Sequence, residues 1–466
     1  MFGLSLEEVA FSMQGKLYGE NCNYEPSGAS IDTRSVKKGE LFFALKGEKA
    51  DGHKYLKKAK DNGAIAAVVS YIPSDYVASN FTLIIVKDTV EALQQLAAVQ
   101  RTLFEGIVIA VTGSTGKTTT KDMMASILRE KGNVLQTKDN FNNELGMPLT
   151  ILALKKEHQF IVTEMGMRGL GEIDFLCKIA QPNYGVITNI GHTHQEFLGS
   201  QEKIAQAKSE MISHISAKGG LALNIKDNNI LNPWISENCP PVLWFGLTAG
   251  ADLTATEVCL SDENRISFSI MFRGQKVAEI NLPVPGRHNV LNALAAVAIA
   301  RQVGLTWQEI KTGLEKVKLT SMRLEFTMIS DKNVQVINDA YNANPDSTIS
   351  ALEVLSAAAK GGRAIGVLGD MYELGEYSKK GHLLVGRQAK SEDLAYLITV
   401  GKLGAIIAKG AFEAGMDSDK IKICKNNKKA LDCLLEIIEP RDVILVKGSR
   451  GVKMEEIVVG LSSAEM

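Results

Sequence analysis

The chain has 466 residues, 45% of them apolar and 23% charged, with a formal net charge of −1 at neutral pH. That length exceeds one ordinary hydrophobic core and predicts two to four domains. So small a charge supplies no global field to gather nucleic acid or an anionic membrane, which leaves only local surfaces for such partners.

In chain order, the start (MFGLSLEEVAFSMQG) carries acidic residues where a secretory signal needs basic ones. It reads as a short amphipathic helix, N-capped by Ser5, with Leu6, Val9 and Ala10 on one face. Residues 1–105 form a first unit of short strands, with a strand at 83–86 and an amphipathic helix from Thr89 to Leu103. Its polar cluster, Asp32-Thr-Arg34 and Asp51-Gly-His53, has two readings: a surface for a polar ligand such as a nucleotide diphosphate, or a surface ion pair among hairpin turns.

A second unit, 106–315, alternates strands and helices: 107–112, helix 117–131, then 133–136, 160–164, 184–188 and 220–225. This pattern predicts an α/β sheet wound with helices on both faces, binding ligands beyond the carboxyl ends of its strands. Its centre is Thr112-Gly-Ser-Thr-Gly-Lys-Thr-Thr-Thr120 between a β-branched strand and a helix. Gly113 and Gly116 let backbone N–H groups turn toward an anion, and the helix N-terminus adds positive potential. Lys117 can reach a terminal phosphate and the Thr118 hydroxyl can ligate Mg²⁺. The loop is shorter than a Walker A sequence, which would place glycine where Val111 stands.

Three further features fall at strand ends. Glu164 ends an apolar strand and is either a Mg²⁺ ligand beside Thr118 or a solvated strand-end carboxylate. His194 is either structural or placed beside the metal site, because imidazole is a poor Mg²⁺ ligand; His192 reads as a turn residue. Asn142-Asn-Glu-Leu-Gly-Met-Pro148 is a polar loop ahead of a helix. Lys208, on composition alone, is a surface helix lysine. Asn289 and Asn292, one helical turn apart, offer the donor and acceptor that an adenine edge requires, or Asn289 is an N-cap.

A third unit, 316–466, alternates strands at 334–338, 364–368, 396–400, 421–424 and 443–447 with helices at 346–359, 379–391, 404–414 and 428–437. Polar segments follow three of these strands: Asn338–Ser347, Gly369–Gly375 and Lys447–Gly451. Six scattered cysteines (22, 177, 239, 259, 424 and 433) contain no C-x-x-C pair, which argues against a zinc ribbon or disulfide scaffold and predicts free thiols in a reducing compartment. No run of 18 apolar residues is present, so no membrane insertion is expected. An N-K-x-D base-reading motif is also missing, since Asn224-Ile-Lys-Asp227 has its lysine one place late.

Taken together these motifs, in this order and over nearly the whole chain, resemble the Mur ligases of peptidoglycan synthesis. The short P-loop is common to that superfamily, folylpolyglutamate synthetases included. Asp339-Ala-Tyr-Asn-Ala-Asn-Pro-Asp-Ser347, without the Asn-Pro-Arg triplet of the diamino-acid-adding relatives, resembles the D-alanyl-D-alanine-adding branch. The resemblance implies three domains: a small N-terminal α/β substrate domain, a central P-loop ATPase-like sheet and a C-terminal doubly wound Rossmann-like domain. It implies ATP and Mg²⁺ as cofactors and UDP-MurNAc-tripeptide and D-Ala-D-Ala as substrates, joined through an acyl phosphate. A cytoplasmic monomer without a nucleic-acid partner is expected.

Residue by residue, the resemblance assigns Gly113, Ser114, Thr115, Gly116, Lys117, Thr118 and Thr119 to the phosphates, Asn289 and Asn292 to adenine, and Arg323 and Asp339 to ATP from the third domain. Thr33, Arg34, Asn143, Tyr341, Asn342, Asn344, Lys447 and Arg450 are implied substrate contacts. Lys117, Glu164, His194 and Lys208 are the implied catalytic set. Thr118 and Glu164 would hold one metal, with a second near His194 and Lys208, whose equivalent in several relatives is carbamylated. The chain departs from the pattern at Gln195, where an apolar residue is expected.

Overall fold

The computed structural model describes residues 3–19, 23–48, 50–74, 76, 81–260, 265–329 and 333–463. Cys22 lies outside them, as do the first two residues of the N-terminal segment. Among the described residues the strands form three sheets.

The first sheet runs Lys16–Tyr18, Thr82–Ile85, Ala66–Val69, Leu41–Phe43, Ala29–Ser30, parallel except at the Lys16–Tyr18 edge. The expected N-terminal helix spans Leu6–Ser12. Ser5 and Glu8 close a reciprocal capping box, and Leu6, Val9 and Ala10 are buried. The helix Thr89–Thr102 ties this sheet to the next one. Its buried Arg101 donates to the carbonyls of Ala180 at 2.7 Å and Gln181 at 2.8 Å, and one apolar core continues from Leu6 to Leu231.

The second sheet is larger than its sequence pattern suggested. From one edge it runs Gln275–Leu282, Ile266–Phe272, Leu253–Leu260, Val242–Phe245, Gly220–Asn224, Tyr184–Ile187, Ile107–Thr112, Phe160–Glu164, Val134–Gln136. The last six strands are mutually parallel. The first three form an antiparallel extension beyond the wound, parallel part of the sheet. The outer strands Leu253–Leu260 and Gln275–Leu282 are largely exposed or half-buried, while Ile266–Phe272 between them is mostly buried, as in antiparallel sheet with one wet side. The chain leaves Ile107–Thr112 toward one side and later returns on the other, so the cradle Gly113–Gly116 opens at the reversal point, where open α/β sheets bind ligands.

The third sheet runs Glu325–Ile329, Val334–Asp339, Val443–Lys447, Ala364–Gly369, Tyr396–Val400, Ile421–Cys424, parallel but for its first strand. The expected helices follow these strands at Pro345–Ala358, Ser378–Ser391, Gly404–Glu413 and Asn427–Ile437. Between the second and third sheets the chain is pinned. Buried Asp122, on the helix Lys117–Leu128, accepts from Thr320 N at 2.8 Å and Thr320 Oγ1 at 2.9 Å. Cys177, Cys239, Cys259, Cys424 and Cys433 are free thiols. Among the described residues no helix is long and apolar enough to cross a membrane.

Candidate active site

The carboxyl ends of the second and third sheets face each other across a cleft of about 1460 Å³. Its floor is the phosphate cradle. Gly113 (φ 145°) and Gly116 (φ 78°) adopt backbone that side chains strain to reach, and a Cβ on Gly116 would stand 2.1 Å from Asn292 Oδ1. The neighbouring Thr188–Gly191 segment fixes the loop. Asn189 O accepts from Ser114 N at 3.0 Å, Asn189 Oδ1 accepts from Thr115 N at 3.0 Å, and Ser114 Oγ accepts from Gly191 N at 2.8 Å. Thr119 is buried in the first helical turn.

Lys117 Nζ folds back to donate to Gly113 O at 2.7 Å. Burial lowers its pKa; Glu164 and Glu373 oppose that, while Arg323 adds to it. The Thr118 hydroxyl donates to Glu164 Oε2 at 2.6 Å and accepts from Arg323 Nη2 at 2.7 Å. Asn142 Nδ2 donates to Glu164 Oε1 at 2.9 Å. Burial would raise the Glu164 pKa, but the charges of Lys117 and Arg323 and the Thr118 hydrogen bond outweigh it, so the carboxylate is held below its usual range. Glu164 is therefore a buried anion amid cations, and the reading of a solvated strand-end glutamate falls.

The third sheet supplies the opposite wall. Arg323, between residues of left-handed backbone at Met322 and Leu324, lies with its guanidinium 4.3 Å from the Tyr341 ring centroid. Asp339 and Lys447 are register partners at their strand ends. Their side chains form a buried ion pair, and Lys447 also donates to Asn342 O at 3.0 Å. Asn344 caps Pro345–Ala358, accepting from Ser347 N at 2.9 Å. Arg450 reaches the cleft while paired to Glu455 at 2.8 Å.

Asn289 does not cap its helix. Gly286 takes that position, while Asn289 donates to Pro285 O at 2.6 Å and accepts from Asn292 at 3.0 Å. Both asparagines line the cleft, as does Asn143, whose Oδ1 accepts from Gly146 N at 2.9 Å. Lys208 is buried in the interior rather than lying on the surface. Burial, reinforced by the Lys117 charge, holds its ammonium well below its usual pKa. His194 lies near both lysines. Thr33 and Arg34 are apart from the cleft in the first unit. Thr33 is buried with its carbonyl accepting from Asn62 at 2.6 Å, and Arg34, 82% exposed, forks onto Asp32 at 2.6–3.0 Å.

Sequence reasoning missed several cleft residues. Asn142 lay inside a noted motif, but its role as a Glu164 partner required the fold. Glu373 sat in a flagged loop, yet nothing local marked its reach to His194. Asp227, accepting from Ile190 N at 2.9 Å, was visible only inside a rejected base-reading motif. Gln195, the departure from pattern, lies 3.1 Å from His192 Nδ1 and donates to Gly199 O at 3.3 Å, a local turn contact. Among the described residues no three His, Cys, Asp or Glu side chains cluster as a metal site.

Comparison with known proteins gives one answer along the chain. Residues 26–101 match the family described as Mur ligase family, catalytic domain; 111–300 match Mur ligase middle domain; 322–450 match Mur ligase, glutamate ligase domain. The UDP-N-acetylmuramoyl-tripeptide--D-alanyl-D-alanine ligase of Bacillus subtilis (strain 168) is 38% identical over 464 residues, 99% of each chain. The crystal structure of MurF from Acinetobacter baumannii superposes with a TM-score of 0.85 at 32% identity, covering 99% of both chains. That of the MurF ligase from Thermotoga maritima in complex with ADP gives 0.77 at 27% identity, covering 93% of this chain and 97% of the other. The chain belongs to the Mur ligases and, within them, to the UDP-N-acetylmuramoyl-tripeptide--D-alanyl-D-alanine ligases.

Proposed function

We propose that the chain joins D-alanyl-D-alanine to the tripeptide carboxylate of UDP-MurNAc-tripeptide, using ATP, to give UDP-MurNAc-pentapeptide for peptidoglycan. The observation that carries this is the Thr118–Glu164–Arg323 junction. A phosphate cradle on one sheet is completed by a cation from another, inside a chain that matches these ligases end to end.

The chemistry needs two anions brought together, since a carboxylate must attack the γ-phosphorus of a triphosphate. Lys117 and Arg323 supply positive charge where it moves. The tripeptide carboxylate oxygen bonds to the γ-phosphorus as the bond to ADP breaks, giving an acyl phosphate. The dipeptide amine then attacks the acyl carbon and loses a proton, and phosphate departs with the carboxylate oxygen. Asn289 and Asn292 are assigned to adenine, and Asp339 to ATP. Tyr341, Asn342, Asn344, Asn143, Lys447 and Arg450 are assigned to the peptide ends, with Thr33 and Arg34 toward the uridine diphosphate. We divide the domains at 105/106 and 315/316.

Thr118 Oγ1 and Glu164 Oε2, 2.6 Å apart, are the hard oxygens that suit Mg²⁺ beside phosphates. Bound there, Mg²⁺ would neutralise phosphate charge. A second ion near His194 and Lys208 fits only after the lysine becomes an anionic carbamate. Burial favours the neutral amine, the form that adds CO₂. We assign the enzyme to the cytoplasm as a monomer.

The test is oxygen transfer. Tripeptide labelled with ¹⁸O in its terminal carboxylate should yield inorganic phosphate carrying one label per turnover. Unlabelled phosphate alongside pentapeptide would exclude the acyl phosphate route.

A further inference from the structure

The Gly369–Gly375 segment has no part in the chemistry above, yet it meets the central unit at the catalytic edge. Glu373 extends both carboxylate oxygens across the junction. Oε2 lies 2.7 Å from His194 Nδ1, and Oε1 lies 3.3 Å from Arg168 Nη2. The first contact is at hydrogen-bond distance but is not aligned as a finished hydrogen bond. Catalytic hydrogen bonds of this kind align fully only with substrates bound.

Both partners carry left-handed backbone, φ 62° at Glu373 and φ 65° at His194. Non-glycine residues keep such strain mainly where surrounding structure enforces it, often at functional positions. The surroundings do enforce it. The His192 ring stacks on Tyr377 with centroids 4.2 Å apart, and a Cβ on Gly375 would come within 2.7 Å of Glu196 Cα. The Arg168 limb alone is a weak surface pair, that side chain being 69% exposed. The His194 limb is only 20% exposed on the histidine side, and the Glu373 charge also acts on Lys117.

We infer that Glu373 is a positioning residue for ligation: supplied by the C-terminal unit, it orients the His194 imidazole and clasps Arg168, so that closure of the two units and the set of His194 occur together. The inference rests on the ligase reading. Losing an interaction used mainly in the reacting arrangement lowers kcat without weakening the first nucleotide encounter.

The test uses Glu373→Gln and Glu373→Ala in the full chain. Product formation from ATP, UDP-MurNAc-tripeptide and D-Ala-D-Ala is measured with binding of a non-hydrolysable ATP analogue, thermal unfolding and small-angle scattering. Both variants should lose about ten-fold in kcat, bind the analogue as the parent does, unfold at the parental temperature and compact less with analogue plus tripeptide. Gln should fare nearly as badly as Ala, because an amide has one acceptor oxygen where the carboxylate offers two, one to His194 Nδ1 and one to Arg168 Nη2. Parental turnover in Glu373→Gln would overturn the inference, and so would parallel losses of stability and nucleotide binding, which would mark a folding role. An unmodified protein that forms no pentapeptide would instead overturn the ligase reading itself.

Discussion

Replacing Glu164 with glutamine changes one atom in a site that has no room for it. The side chain is 3% exposed, takes hydrogen bonds from Thr118 and Asn142, and faces the charges of Lys117 and Arg323. In one orientation the new amide sets its NH₂ against the NH₂ of Asn142. In the other it faces the Thr118 hydroxyl, whose oxygen already accepts from Arg323. The two cations also lose their buried counter-charge. Breaking such a pair costs about 3–5 kcal/mol when the remaining charge is trapped. A stability loss of about 3 kcal/mol is therefore expected in the ligand-free protein. ATP phosphates restore a counter-charge, so the deficit should shrink in saturating Mg²⁺-ATP. Turnover should fall about a hundred-fold or more, the scale for losing one preorganised electrostatic contact. Urea unfolding with and without nucleotide, beside phosphate release, measures both. A Glu164→Gln protein with parental stability and turnover would refute the placement of Glu164 as the anion of the phosphate site.

Gly116→Ala should cost about 1–3 kcal/mol through its positive φ and, by pushing on Asn292, weaken binding of an ATP analogue; calorimetry showing parental affinity would contradict this. Asp227 is pushed up to about 6, chiefly by burial, against the Ile190 hydrogen bond and Lys226. Its folded pKa exceeds the ordinary 3.8, so the native state binds the extra proton and loses stability as pH rises between those values. Asp227→Asn should therefore be more stable at pH about 7.5, by up to about 3 kcal/mol, with the gain gone near pH 4; an equal gain at both pH values in urea melts would refute the cause. Asp122→Ala should destabilise by about 3–5 kcal/mol, since it strands the buried Lys121 ammonium 3.1 Å away and frees Thr320, with Asp122→Asn milder. Equal melting temperatures for Asp122→Ala and the parent would contradict the pinned junction.

The parallel core of the second sheet and nearly all of the third were legible because buried parallel strands are continuous apolar runs punctuated by glycine and helix starts. The extension formed by Leu253–Leu260, Ile266–Phe272 and Gln275–Leu282 was not. Its strands mix Thr, Glu, Lys and Ser with apolar residues and carry no motif. Lys117, Thr118 and Glu164 were legible because phosphate chemistry demands those side chains at strand ends. Lys208 was not legible from composition, which reads a lysine among Glu, Gln and Lys as solvated, whereas the helix turns it into the interior. Asp122, Glu373 and Arg323 matter through contacts spanning more than a hundred residues of sequence, and no local pattern encodes such contacts. The Asn289 cap failed for a simpler reason: Gly286 starts the helix three residues earlier.

The most direct measurement is phosphate release from Mg²⁺-ATP with each substrate omitted in turn, alongside the mass of the product. The account predicts release that requires both UDP-MurNAc-tripeptide and D-Ala-D-Ala, together with one UDP-MurNAc-pentapeptide per phosphate. Steady hydrolysis indifferent to both substrates, or pentapeptide from a different amine alone, would contradict it.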